Sequence, residues 1–576
     1  MMTPHVSSPR GFCCTTIIVG KKATVDGSVI VAHSDDDVAD QRVVFVPTLD
    51  QSQGRNVYYD NCSIGSNSAY NSTDIRRYIG TDRGLAYDTR DYAKSIPIGS
   101  IKGVAKTYAY FDCNYGIMNE HGLMFGECTC GCRQEDKVLP SPQRLFYASE
   151  LSRVALERCK TAVEAIECMG DLIRTYGIYG TGETLTVGDA NEAWVFEMCP
   201  TSKKGNGAGV WVAQRVPDDG FFVAANEFRI RDVYRSPKDP GTGSDDLCFK
   251  SADPAGNTIL YSANLFPTCD PSAKHIDWLP TVSYGEYSHP YYSLRRVWRA
   301  LSLAKPSLKL KPGVKDGYTR AYPFSVKPDK KLSVADIAAI YRDSYEGSAY
   351  DQTTGIGAGP FGTPVRVDVN PDHGEDTWNL SKYHPKGAWE RPISIYRCGN
   401  LWINQAKTTT PRAPDQNFLG YSWIAMDRPA TNCLMPFDCR APSLPVSMET
   451  MNILDFQFGG KSAWWAFNFV ANYLNLNYCN MLKDLQAVRE PLEQAAFDKV
   501  AAAMKALEEG SFTNLQVYCA ENCEKVVAAW WHLATHLIVK YCNGCVTLGP
   551  NSIMAPIGYP TWWLKTAGYF DGPVKY

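Results

Sequence analysis

The stretch richest in chemistry is Cys13-Cys14-Thr15-Thr16-Ile17-Ile18-Val19-Gly20, running on through Asp26-Gly27-Ser28 to His33-Ser34-Asp35-Asp36-Asp37. Cys14 opens a β-branched run behind a short polar leader, a placement that suits an N-terminal nucleophile. If the leader ends before Cys14, one residue supplies both a thiol and a free α-amine. Such an amine titrates at about 7.7–8.0, so it can take the proton of its own thiol near neutrality. Thr15 to Val19 and Ser28 to Ala32 flank Asp26-Gly27, a strong hairpin signal. A loop of those two residues sets Cys14 opposite Ala39, whereas a loop from Gly20 to Gly27 sets it opposite His33. Either way Asp35 to Asp37 return close to the thiol, where a carboxylate can hold an α-ammonium or orient the amine. The plain alternative is a cysteine that fills a core position beside a solvated acidic loop, because free Cys usually behaves as a small buried hydrophobe.

Other groupings invite metal or nucleotide readings. Cys519 and Cys523, His532 and His536, and Cys542 and Cys545 look like zinc ligands when taken together. The histidines share a helix face, but Trp530-Trp531 and the surrounding Ala, Leu and Val mark a packing helix, and tetrahedral sites need convergence that this spacing does not guarantee. Cys128, Cys130 and Cys132 alternate on one strand and share a face. Gly355, Gly357, Gly359 and Gly362 lack the strand-to-helix context of a nucleotide loop. No metal ligand set is expected. Asn71 and Asn379 begin glycosylation sequons, which mean little without a secretory leader.

The elements that must hold Cys14 are strand-rich. Beyond the first hairpin, the sequence predicts a second from Tyr115 to Cys128 around Asn119-Glu-His-Gly122. A third joins Glu183 to Met198 around Asp189, and a fourth runs from Gly209 to Asn226 around Pro217-Asp-Asp-Gly220. Between the second and third, Ser141-Pro142 reads as a helix cap, with Leu145, Ala148, Leu151 and Ala155 at helical spacing. Residues 161 to 176 repeat that periodicity. This order suggests antiparallel sheets with helices packed on them, an α+β layered fold. Residues 345 to 445 are rich in Pro, Gly and polar types, with strand-like fragments such as Pro392 to Tyr396. From Met448 the chain turns helical, over Ala463 to Leu474, Leu485 to Leu507 and Val517 to Tyr541.

The 576 residues carry 58 basic and 61 acidic side chains, a net charge of −3, which argues against a nucleic-acid partner. Neither a membrane span nor a secretory signal is legible, so no membrane partner is expected. The 20 cysteines, scattered through a large chain without a leader for export, read mostly as buried thiols in a reducing, cytoplasmic setting.

The run CTTIIVGKKATVDGSVIVAHSDDD resembles the opening of the C69 dipeptidases, cysteine Ntn-hydrolases related to the secernins and, more distantly, to penicillin V and bile-salt acylases. The resemblance continues at residues 115–129, 183–198, 221–230, 291–299, 346–364, 389–397 and 463–473, in order along nearly the whole chain. It implies an αββα four-layer sandwich over residues 14–445 after a cleaved leader, 1–13, with a helical extension over 446–576. It also implies roles for single residues. Cys14 stands where the nucleophile belongs, and Cys13 ends the leader. Asp36 falls where a carboxylate contacts the nucleophile's amine. Asn226 matches the asparagine of the oxyanion hole, and a pocket arginine comes from Ser-Leu-Arg-Arg-Val-Trp as Arg295 or Arg296. His33 stands where the acylases usually carry Arg, and Thr129 aligns with a less constant pocket position.

The implied reaction is hydrolysis of a dipeptide through an acyl-enzyme, after Cys14 attacks the Cys13 carbonyl to free itself. It needs no metal and no organic cofactor. The same parts would serve an acylase of non-peptide amides, and a secernin-like binding protein would keep its leader. Ntn relatives often assemble, so the resemblance, rather than any residue, implies a homo-oligomer.

Overall fold

The computed structural model describes residues 14–36, 40–60, 78–88, 92–133, 139–201, 208–241, 245–283, 292–313, 318–367, 391–408, 418–450, 458–511 and 513–573. The expected leader, residues 1–13, together with Asp37 and both sequon asparagines, lies outside them. Thr15 to Val19 is β-branched throughout, a composition suited to a buried pleated strand, and the strand Cys14–Val19 is buried at every position. The chain leaves this strand at Gly20, whose N–H bonds to the Gly220 carbonyl while the Lys22 N–H bonds to that of Asp218. It turns back through Gly27 at φ 78°, where glycine carries no steric penalty. The return strand is Val29–Asp35, in a register of Cys14 with Asp35, Thr16 with His33 and Val19 with Ile30. This is neither of the two expected registers, because the loop is anchored to residues 218–220 rather than set by Asp26-Gly27 alone. The result brings a carboxylate directly opposite Cys14.

Two antiparallel sheets carry the fold. The seven-stranded one is ordered Ser325–Val326, Phe221–Ala224, Cys14–Val19, Val29–Asp35, Asn400–Thr408, Phe418–Met426, Met435–Asp438. The nine-stranded one runs Cys248–Ala252, Thr258–Ser262, Val210–Arg215, Ala193–Cys199, Gly182–Gly188, Met124–Cys130, Gly116–Asn119, Tyr110–Asp112, Val44–Val46. The second and third predicted hairpins are therefore present as neighbouring strand pairs. The fourth is not a hairpin. Val210–Arg215 pairs with Ala193–Cys199, whereas Phe221–Ala224 crosses to the other sheet and pairs with Cys14–Val19. That crossover delivers Asn226 to Cys14. The sheets meet where Thr16 Oγ1 and Thr186 Oγ1 hydrogen-bond at 2.7 Å. A Cβ on Gly126 would sit 2.6 Å from both of these oxygens, so only glycine allows this approach.

Helices Ala148–Arg158 and Ala162–Tyr176 pack against strands of the nine-stranded sheet, and Leu294–Ala304 and Val334–Tyr341 against the seven-stranded sheet. The helix Ala162–Tyr176 opens with a capping box of Thr161 and Glu164. Ser141-Pro142 is not a cap: Ser141 and Arg144 close a turn on each other, and the helix starts at Ala148. Pro392 to Tyr396 forms no strand, and the sheet instead recruits Asn400–Thr408 next along. The helices Ala463–Leu474, Tyr478–Glu508 and Gln516–Lys540 pack on one another and on the far strands of the seven-stranded sheet. Among the described residues, no helix is long and apolar enough to cross a membrane.

Candidate active site

Cys14 is fully buried at the start of its strand, with its backbone held from both sides. Its N–H donates to Asn226 Oδ1 at 3.1 Å, and its carbonyl accepts from Arg296 Nη1 at 2.8 Å. Asn226 follows the crossover strand at φ 63°, a left-handed conformation that asparagine tolerates better than most residues. Its Oδ1 also accepts from Arg296 Nη2 at 2.8 Å and Arg391 Nη1 at 2.9 Å, while its Nδ2 donates to the Thr129 carbonyl at 2.8 Å. Because these Oδ1 partners are all donors, the hydrogen bonds themselves assign the amide orientation.

Arg296 is buried in the helix Leu294–Ala304 and also donates to Thr15 Oγ1 at 3.0 Å and the Ala225 carbonyl at 3.1 Å. Arg295, one position earlier, carries its guanidinium to the Tyr350 ring at 3.7 Å and the Pro312 carbonyl at 2.6 Å. The geometry thus brings Arg296 to Cys14 and takes Arg295 elsewhere. Successive helical residues lie on different faces.

Asp36 is buried and accepts from Arg391 through Oδ2, while Oδ1 has no hydrogen-bond partner. Burial raises its carboxyl above the usual range, although Arg391, Arg296 and Arg397 pull the other way. His33 presents Nδ1 to the backbone of Glu127, 2.7 Å from the carbonyl and 3.0 Å from the nitrogen, and packs on Trp402 at a ring separation of 4.2 Å. Burial lowers its pKa to about 3, so the imidazole is neutral. Thr129 meets the site through its carbonyl, and its hydroxyl donates to Glu127 Oε1 at 2.8 Å. The Cys14 thiol is itself held protonated. Burial raises its pKa well above that of an ordinary thiol, and the Glu127, Asp35 and Asp36 carboxylates push the same way.

Three participants escape the sequence reading. Arg391 joins Asp36 to Asn226 from the position just before the strand-like fragment Pro392 to Tyr396. Glu127 and Glu183 are fully buried on adjacent strands of the nine-stranded sheet. The available signal was a carboxylate within each of two strands, since Glu is almost never fully buried unless paired.

Among the described residues, Cys14, His33 and Asp35 bring ligand-type atoms within 4.8 Å of one another. His33 Nδ1 and Asp35 Oδ2 are already engaged by Glu127 and Asn114. We read this trio as the thiol's surroundings. The C-terminal cysteine–histidine grouping does not converge: Cys519 and Cys523 are buried, whereas His532 and His536 are exposed on the same helix.

The family model for peptidase family C69 matches residues 13–491. The chain is 22% identical over 507 residues to a "Probable dipeptidase" of Latilactobacillus sakei, covering 86% of this chain and 88% of that protein. It is 21% identical over 520 residues to "Probable dipeptidase B" of Lactococcus lactis, covering 88% and 93% respectively. "Dipeptidase A" of Lactobacillus helveticus is 22% identical over 469 residues, covering 81% and 82%. Matched to that family over most of its length, the chain belongs to peptidase family C69 and is a peptide-bond hydrolase.

Proposed function

We propose that this peptidase is a dipeptidase that acts through Cys14 as an N-terminal nucleophile, on an αββα Ntn scaffold spanning residues 14–445 and extended by 446–576. The observation that carries the reading is the convergence of Asn226 and Arg296 on the main chain of one buried cysteine, with Arg391 joining Asn226 to Asp36. The names of the relatives support dipeptides as the substrate class.

Once the leader is gone, the Cys14 nitrogen is an α-amine beside Asn226 and can accept the proton of its own thiol. Asp36, through the oxygen left without a partner, fixes that amine as an ammonium. The thiolate attacks the scissile carbonyl, and Asn226 Nδ2 exchanges the Thr129 carbonyl for hydrogen bonding to the oxyanion. A donor in that role contributes roughly 2.7–4 kcal/mol. The ammonium proton passes to the departing amine, and water then cleaves the thioester to regenerate the thiol. Arg296 holds the Cys14 carbonyl and Asn226 in place throughout. Assembly into a homo-oligomer and a cytoplasmic location complete the proposal, the latter resting on the cysteine content.

The test is the intact mass and N-terminal sequence of the full chain beside Cys14→Ala, followed by a panel of dipeptides and N-acyl amides. A wild type that begins at Cys14 and cleaves dipeptides, with an uncut and inactive variant, is expected. A wild type that cleaves dipeptides with its leader attached would sink the N-terminal nucleophile. Preference for N-acyl amides would move the substrate class to that of an acylase.

A further inference from the structure

Leader removal poses a proton problem that the mature enzyme does not face. While residue 13 is attached, the Cys14 nitrogen is an amide without a basic lone pair, and it already donates to Asn226. The buried thiol is protonated, so a base must come from the surrounding side chains. His33 is a weak base here, because burial holds its pKa near about 3. Asp35 accepts from Asn114 Nδ2 at 2.6 Å, and Asp36, although its Oδ1 is without a hydrogen-bond partner, is ion-paired with Arg391 through Oδ2, which weakens it as a base.

Glu127 is placed differently. Its Oε1 accepts from the Thr129 hydroxyl, and its Oε2 is buried without a hydrogen-bond partner. The carboxyl lies beside the Cys14 thiol on one side and the Glu183 carboxyl on the other. Glu183 in turn accepts from the Tyr147 hydroxyl. The remaining titratable groups facing Glu127 are His33, Tyr115 and Cys128, and no cation makes a direct ion pair with it among the described residues.

We propose that Glu127 is the proton acceptor for Cys14 during leader removal, with Glu183 as the residue that positions it. The proposal rests on the self-processing described above and adds the group that makes it work before an α-amine exists. The Sγ proton passes to the Glu127 carboxylate as the Sγ–C bond to the residue 13 carbonyl forms. Glu127 returns that proton to the Cys14 nitrogen as the C–N bond breaks, leaving a thioester and a free amine. Water then cleaves the C–S bond, releasing the leader as a carboxylic acid and restoring the thiol. Burial raises Glu127 to about 8, and burial together with Glu127 itself raises Glu183 well above the ordinary carboxylate range. Two buried carboxyls side by side do not readily both ionise, so the pair titrates as a unit, and a Glu127 carboxyl raised to about 8 suits a general base working near neutrality.

The experiment follows leader loss by intact mass during cell-free synthesis of the full chain, with Cys14→Ala as the uncut reference. Glu127→Gln is expected to slow cleavage by about 100-fold or more, and Glu127→Asp to recover part of the rate. The wild-type rate should rise with pH to a plateau with an inflection near 8, which Glu127→Gln loses. Cleavage of Glu127→Gln at the wild-type rate, or an inflection that persists in it, overturns the role of Glu127 alone. A wild type that never loses its leader overturns the self-processing beneath it. Should circular dichroism show Glu127→Gln unfolded, the wild-type profile decides, and a rate flat across that pH range overturns the proposal.

Discussion

Arg391 shows how a single side chain can join two roles. One guanidinium nitrogen bonds to Asp36 and another to Asn226, and the whole assembly is buried. Removing one partner of a buried ion pair leaves an uncompensated charge, typically at a cost of about 3–5 kcal/mol. Arg391→Leu is therefore expected to lower the free energy of unfolding by that order, read as a lower urea midpoint, and to lower peptidase activity because Asn226 loses one of its supports. In a double-mutant cycle, Asp36→Asn should be less costly in the Arg391→Leu background than in the wild type. Additive losses would mean that the two residues do not act as a pair.

The helix Ala148–Arg158 carries its burial on two faces rather than one. Sequence periodicity finds the apolar face through Ala148, Leu151 and Ala155. Glu150, Arg153 and Glu157, at helical spacing, are equally buried because they meet charges from other elements. Arg55 pairs with Glu150 and Glu157, Arg83 with Glu150, and Arg153 with Asp112 and Glu150. Burial raises the Glu150 carboxyl, but Arg55, Arg83 and Arg153 outweigh it and hold the pKa at about 2 against an ordinary 4.5. A depressed folded pKa stabilises the fold above the ordinary value, and that contribution is lost as pH falls from about 4.5 through about 2. At about 1.4 kcal/mol per unit, the full loss is about 3 kcal/mol. Urea unfolding across that window should be steeper in pH for the wild type than for Glu150→Gln, and equal slopes would remove Glu150 from the acid response.

At the scale of the whole molecule, the family match ends at residue 491, just before one of the side chains that tie the later helices to the core. Glu493, in the helix Tyr478–Glu508, accepts from both Arg342 terminal nitrogens and from the Leu434 N–H at 2.8 Å. It joins the end of the helix Val334–Tyr341, the start of the strand Met435–Asp438 and the C-terminal helices through one buried carboxylate. Glu493→Ala leaves Arg342 and a buried N–H without that partner, so a loss of about 3–5 kcal/mol is expected in thermal or urea unfolding. A midpoint equal to wild type would show that apolar packing around Trp530 and Phe467 holds these helices without it.

Local pattern carried much of the architecture. Ala463–Leu474 matches its helical periodicity to the residue, the first strand was legible from its β-branched run, and Cys14 could be singled out from one stretch of sequence. Periodicity reports which side of a segment is buried, but it does not report what that side is buried against. The register that sets Asp35 opposite Cys14 came from an anchor at residues 218–220, and the predicted fourth hairpin split because Phe221–Ala224 gained a better partner in Cys14–Val19. The choice of Arg296 over Arg295 depended on the docking of a helix. Cys14 reaches Asn226 across 212 positions, and Arg391 reaches Asp36 across 355. Contacts at such separations form only when whole sheets pack, and their desolvation sets the charge states on which the chemistry rests. The candidate nucleophile Cys14 was therefore readable in the chain, whereas the Glu127–Glu183 pair and the Arg391 bridge exist only in the folded protein.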